Sequence, residues 1–260
     1  MIKFFRKIRQ KLLTENKFSN YLLYAIGEII LVVIGILIAL QINNWNLENA
    51  DHKKEIIYLK SLKNEMESNL TSLNKEEKRI STFVKREQVL IKIMSSKEAI
   101  DTTSDKTIFN FYKDIFNTPV ITNVETGAIN EIISSGGLQY IKNDSIRKLV
   151  SSWDTRTARL KVQEAFLDET TKKIENLMFE EQLINTRYLF SLNESFEAQK
   201  LGEPIEEHSL KPLLKSEKYE SHCILHYGQC NFMINRVYSE YKANLMGMID
   251  LINKELDKYN

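Results

Sequence analysis

Residues 21–42 read YLLYAIGEIILVVIGILIALQI, an apolar run of 22 with a single charge, Glu28. At about 1.5 Å per residue, a helix of this length crosses a hydrocarbon core of about 30 Å. The run therefore predicts one transmembrane helix near the N-terminus. Residues 1–20 form a basic flank on one side, and residues 43–260 form a large domain on the other.

The flanks orient the span. Lys3, Arg6, Lys7, Arg9, Lys11 and Lys17 precede it against one acid, Glu15, whereas residues 43–57 carry only Lys53 and Lys54 as bases. Basic residues stay on the cytoplasmic side, so the N-terminus is expected inside and the C-terminal domain outside. Trp45 then falls at the outer interface, with Tyr21 and Tyr24 at the inner one. A cleaved signal is the competing reading. It calls for an apolar region of about 7 to 15 residues and a small-x-small site, and this run is longer with no such site after it. The start of the chain has a pattern of its own. Ile2, Phe4, Phe5, Ile8, Leu12 and Leu13 share one half of a helical wheel, opposite most of the bases. That suits a helix lying on an anionic inner leaflet, against the plainer reading of an unstructured basic tag.

An acid within the span requires a reason, because charges there are costly. At about 100° per residue Glu28 shares a face with Tyr21, Tyr24, Gly35 and Ala39. Gly35 and Ala39 make a small-xxx-small pair, which lets two helix backbones approach closely. Glu28, Gly35 and Ala39 are thus the expected membrane-helix packing face, formed with a second copy or a membrane partner. The alternative is an acid that snorkels to the headgroups beside incidental small residues.

Beyond the span the composition is helical. The whole chain has eight Gly and three Pro, with neither between Gly35 and Pro119. Three long segments carry heptad periodicity. In the first, about 49–94, Leu59, Leu62, Met66, Leu73, Ile80, Phe83, Leu90 and Met94 occupy a and d positions, and nothing in 43–46 forces a break from the span. In the second, about 144–190, Ile146, Trp153, Leu160, Leu167, Ile174 and Tyr188 keep one row that only Glu181 interrupts, with Asn143 or Asp144 as the N-cap. In the third, about 217–258, Tyr227, Ile234, Tyr241 and Met248 form one row, and Tyr238, Leu245, Ile252 and Tyr259 another. Shorter pieces join them. A helix over 105–116 is capped by Ser104. Thr122-x-x-Glu125 reads as a capping box opening a helix to about Ser134, which Gly136 and Gly137 end. Residues 193–215 form a loop. No strand and no repeat is evident. The expected fold is all-α: a transmembrane helix followed by an elongated antiparallel helical bundle with long coiled-coil-like helices.

Chemistry is sparse. Residues 1–45 carry six bases and two acids, net +4, so with +1 overall the remainder is −3. A domain so balanced is a poor nucleic-acid binder, since phosphate neutralisation supplies most of that affinity, and no nucleic-acid partner is expected. Phosphate-cradling Gly-rich loops and G-x-S-x-G, H-E-x-x-H, C-x-x-C and EF-hand patterns are all missing. No enzymatic activity, catalytic residue or cofactor is therefore assigned. His222, His226 and Cys230, spaced i, i+4, i+8 on one helix face, are the candidate metal ligands. Gly228 weakens the helix there, and the plain reading is a small polar cluster near a helix end, so no metal is assigned. Cys223 and Cys230 lie about 10 Å apart on a regular helix, too far to bond to each other; an oxidising compartment would allow an intermolecular disulfide.

NYLLYAIGEIILVVIGILIALQINNWN, with the basic start MIKFFRKIRQKLLTENKF, resembles the N-terminus of an uncharacterised family of single-span proteins from Gram-negative bacteria. SSGGLQYIKNDSIRKLV resembles a second segment of that family. The resemblance implies an inner-membrane anchor with an outward, periplasmic helical domain, and transfers no functional residue. The expected function is a membrane-anchored helical interaction or scaffold protein of the cell envelope. It would contact membrane lipid and a second copy or a membrane protein. The alternative is a ligand- or metal-sensing envelope domain that acts through a membrane partner.

Overall fold

A computed structural model describes residues 18–180, 183–193 and 208–259, all helix, turn or coil with no strand. The basic flank, the amphipathic start of the chain, the side chains of Tyr21 and Tyr24 and most of the 193–215 loop lie outside the described residues. The contacts divide the chain into two compact units, Met1–Ile57 and Tyr58–Asn260.

The first helix, α1, runs Phe18–Met94. Its described large apolar side chains from Leu22 to Leu47 are exposed. Leu31 keeps 73% of its surface, and the most apolar window of the helix has no buried residue. By length and composition this helix can cross a membrane. Removing so many Ile, Leu and Val side chains from water contributes roughly 1.5–3 kcal/mol each, and nothing among the described residues supplies that burial.

In the second unit the heptad of α1 is the spine of the core. Leu59, Leu62, Met66, Leu73, Ile80 and Leu90 have no exposed surface. The chain then continues through α2 (Lys97–Thr102), α3 (Asp105–Phe111) with a π-turn Tyr112–Phe116, α4 (Gly127–Ser134), a 3-10 turn Gly137–Tyr140, α5 (Asp144–Ser151), α6 (Trp153–Phe179), α7 (Thr186–Ser191), α8 (Lys211–Leu214), α9 (Glu217–Phe232), a second π-turn Met233–Tyr238, α10 (Ser239–Leu256) and a final 3-10 turn Asp257–Tyr259. Caps explain several boundaries. The Ser96 and Ser104 hydroxyls accept the backbone N–H of Ala99 and Thr107, and the Asn143 side chain accepts those of Ser145 and Ile146. Gly136 takes φ 71°, the left-handed turn that ends α4.

Three sequence expectations are corrected. The capping box Thr122-x-x-Glu125 does not form, because both residues are drawn into tertiary bonds. The Thr122 N–H donates to Glu164 at 2.6 Å, its hydroxyl pairs with Tyr238 at 3.0 Å, and Ser68 donates to the Glu125 carboxylate at 2.9 Å. The helix instead starts at Gly127, where the buried Glu65 carboxylate accepts the N–H groups of Ala128 and Ile129. The second long segment is also not one helix to Phe190. Ser152 divides α5 from α6, α6 ends at Phe179, and Asn185 caps a separate α7 by accepting the Tyr188 N–H. Leu189, not Tyr188, is then the buried residue.

The third correction concerns phase. Downstream of the second π-turn the expected positions Tyr238, Tyr241, Leu245, Met248 and Ile252 are buried. Up to the start of that turn, the buried residues are His226 and Met233, each one place before the expected Tyr227 and Ile234. A π-turn closes i to i+5 and so holds one residue more than an α-turn. Along α9 and into the π-turn the buried face runs Tyr219, Cys223, His226, Cys230, Met233, Val237, then resumes at Tyr238. A heptad traced back from α10 through that extra residue lands one position late.

Candidate functional site

The a row of α1 reads Leu59, Met66, Leu73, Ile80, Glu87, Met94, and its d row Leu62, Asn69, Glu76, Phe83, Leu90. Three polar residues therefore stand where the helix faces the core, and each meets a specific partner. Asn69 clamps the backbone of Glu125, accepting its N–H at 2.7 Å and donating to its carbonyl at 2.8 Å. Glu76 accepts from Arg79, whose guanidinium also donates to the Pro119 carbonyl at 2.8 Å. Glu87 meets His226.

Glu87 has no exposed surface and His226 has 1%. With the proton on Nδ1, the imidazole donates to Glu87 Oε1 at 2.7 Å. The sulfur of Cys230, one turn along α9, lies 3.7 Å from the same Nδ1. Oε2 of Glu87 is buried with no hydrogen-bond partner. Phe116, at the end of the first π-turn, packs edge-on against the imidazole with centroids 5.3 Å apart. Tyr219 and Cys223 continue the same face of α9 with no more than 1% exposed.

Burial sets the electrostatics. Desolvation raises the Glu87 carboxyl above its ordinary value, and the hydrogen bond and charge of His226 oppose that rise. Desolvation, then the Glu87 charge, pushes both thiols well up, so Cys223 and Cys230 are neutral thiols in the protein alone. His226 also borders a cleft of about 200 Å³. The segment Phe116–Val120 forms one wall, and Leu167, Asp168, Thr171, Lys172 and Glu175 of α6 form the other. The cluster thus has a neighbouring opening to solvent.

Of the three sequence candidates, the structure brings His226 and Cys230 together and leaves the half-buried His222 outside the group. The buried face of α9 runs i, i+3, i+7 through Cys223, His226 and Cys230, of which only His226 and Cys230 join the group with Glu87. Glu87 was missed, although an acid on an otherwise apolar heptad row was its visible signal. Both thiols are free and fully buried, so an intermolecular disulfide would require α9 to open. In the first unit Gly35 has no atom of another element within 4 Å of where a Cβ would stand, Ala39 is exposed and Glu28 is half-buried.

No curated protein and no solved structure matches the chain. A family model does match over residues 28–178, from inside the apolar run, through the α1 heptad and Glu87, to the end of α6, which is more than half of the sequence; the chain belongs to that family of unknown function, DUF6090.

Proposed function

We propose that this protein is a membrane-anchored helical interaction protein of the bacterial envelope. The apolar start of α1 spans the inner membrane once, with the N-terminus cytoplasmic. The second unit stands in the periplasm as an antiparallel bundle of coiled-coil-like helices and engages a second copy or a membrane protein. The observation that carries this reading is the run of exposed Ile, Leu and Val on α1, which nothing among the described residues covers. The basic flank supports the orientation, and the small-residue pair Gly35 and Ala39 supports contact within the bilayer.

Two measurements on the full-length protein test it. Alkaline phosphatase fused after Asn260 is expected to be active, since it folds only outside the cytoplasm; an inactive fusion beside an active cytoplasmic reporter would overturn the orientation. Native mass spectrometry after gentle extraction is expected to find a homo-oligomer or a bound membrane protein. A bare monomer would remove the interaction role.

A second reading, an envelope domain that senses a metal through a membrane partner, is favoured by the buried Glu87, His226 and Cys230 group. It predicts that zinc changes the mass or composition of the extracted complex. An unchanged complex would discard sensing.

A further inference from the structure

We propose that Glu87, His226 and Cys230 bind a divalent metal ion of the zinc class. One carboxylate oxygen, Nδ1 and Sγ lie within 4.8 Å of one another, on three buried side chains from two helices. A tetrahedral zinc ion with bonds of about 2.0–2.3 Å holds its donors roughly 3.3–3.8 Å apart. The Cys230 to His226 separation of 3.7 Å already falls in that range, and the 2.7 Å Glu87 to His226 contact opens to it by a small side-chain rotation.

Two further observations point to an ion. The first is the unpartnered Oε2 of Glu87, a carboxylate oxygen with neither donor nor solvent. Native cores rarely leave such an atom unsatisfied, and a cation beside the carboxylate would satisfy it. The second is the cleft that His226 borders, which brings solvent next to one of the three donor side chains and offers an entry path.

Charge and softness narrow the ion. One thiolate and one carboxylate sum to −2 and cancel a divalent cation, while the imidazole stays neutral. The buried group would then carry no net charge, which a low-dielectric core requires. A monovalent soft ion would leave −1 in the core. Calcium and magnesium demand oxygen ligands that this set lacks. Binding releases the Cys230 thiol proton to solvent, and the imidazole proton moves from Nδ1 to Nε2 so that the neutral ring can coordinate through Nδ1. The site does not depend on the membrane span; the sensing reading rests on the site.

The test is a cobalt(II) titration of the full-length protein in detergent. The expected result is one Co²⁺ per chain with a thiolate-to-cobalt charge-transfer band, bleached by Zn²⁺. Cys230→Ser should abolish the band, Glu87→Gln and His226→Gln should weaken binding about tenfold or more, and Cys223→Ser and His222→Gln should leave it unchanged. Circular dichroism checks each variant's fold. No band in the wild type, a band that survives Cys230→Ser, or a band lost in a folded Cys223→Ser would overturn the assignment. If Cys230→Ser fails to fold, Glu87→Gln carries the test, and unchanged affinity there overturns it. A bare monomer by mass that still gives the band removes the interaction role and leaves the site standing.

Discussion

Glu87 and His226 lie 139 residues apart in the chain, yet Oε1 of one and Nδ1 of the other approach to 2.7 Å with both side chains at most 2% exposed. They tie α1 to α9 at the boundary between two apolar clusters. One holds Ile80 and Cys230, the other Phe83, Leu90 and Cys223. A buried pair of this kind adds little net stability but makes the loss of one partner costly.

His226→Leu should therefore destabilise the full-length protein by about 3–5 kcal/mol, because it leaves the Glu87 carboxylate alone in the core. Glu87→Leu combined with His226→Leu should recover most of that loss. Urea unfolding in detergent measures both. Additive losses in the double variant would show that the two groups are not coupled.

Asn69 occupies a heptad d position and satisfies both backbone groups of Glu125. Asn69→Leu extends the apolar row yet should cost about 1–3 kcal/mol, since it leaves polar backbone groups unpaired. A stabilised Asn69→Leu in the same unfolding assay would mean that the segment before α4 is held by something else.

Glu65 is buried, and desolvation raises its carboxyl above the ordinary 4.5, against the opposing N–H groups of Ala128 and Ile129. A raised acid binds its proton more tightly folded than unfolded, so stability falls as pH rises above 4.5. Glu65→Gln should flatten that fall. Unfolding midpoints from about pH 4.5 to about pH 7 in wild type and variant decide it; parallel curves would place the pH dependence elsewhere.

The π-turn Met233–Tyr238 carries one residue more than an α-turn. Removing the exposed Asn235 restores the 4-3-4-3 spacing of buried positions from Tyr219 to Ile252, so this deletion should be tolerated. Deleting the exposed Gly228 should not be, because it turns Tyr219, Cys223 and His226 by about 100° away from the core. Helical content and unfolding midpoint of the two deletions make the comparison. Equal tolerance would contradict this account of the phase shift.

A Cβ at Gly35 meets no atom of another element, so Gly35→Leu should leave the second unit's stability unchanged. With Glu28→Leu it should abolish crosslinking between spans in native membranes, because the close-approach face is lost. Undiminished crosslinking would refute Glu28, Gly35 and Ala39 as a packing face.

Much of the architecture is local and was legible. The apolar run of 21–42 announces itself by length and composition. The α1 heptad, the caps at Ser104 and Asn143 and the turn at Gly136 follow from spacing and from side chains that reach only a few residues along the chain. The misses share one cause. Thr122 and Glu125 have the right spacing for a capping box, but Ser68, Glu164 and Tyr238 compete for them from far away in the chain. The Tyr227 and Ile234 row has the right period, but the extra residue of the π-turn Met233–Tyr238 shifts its phase. His226 and Cys230 looked like one half of a ligand set, and only the approach of α9 to α1 adds Glu87. Periodicity along one helix tells which face is apolar. Which polar residue on that face meets which other depends on how helices from distant parts of the sequence pack, and that is decided by tertiary structure alone.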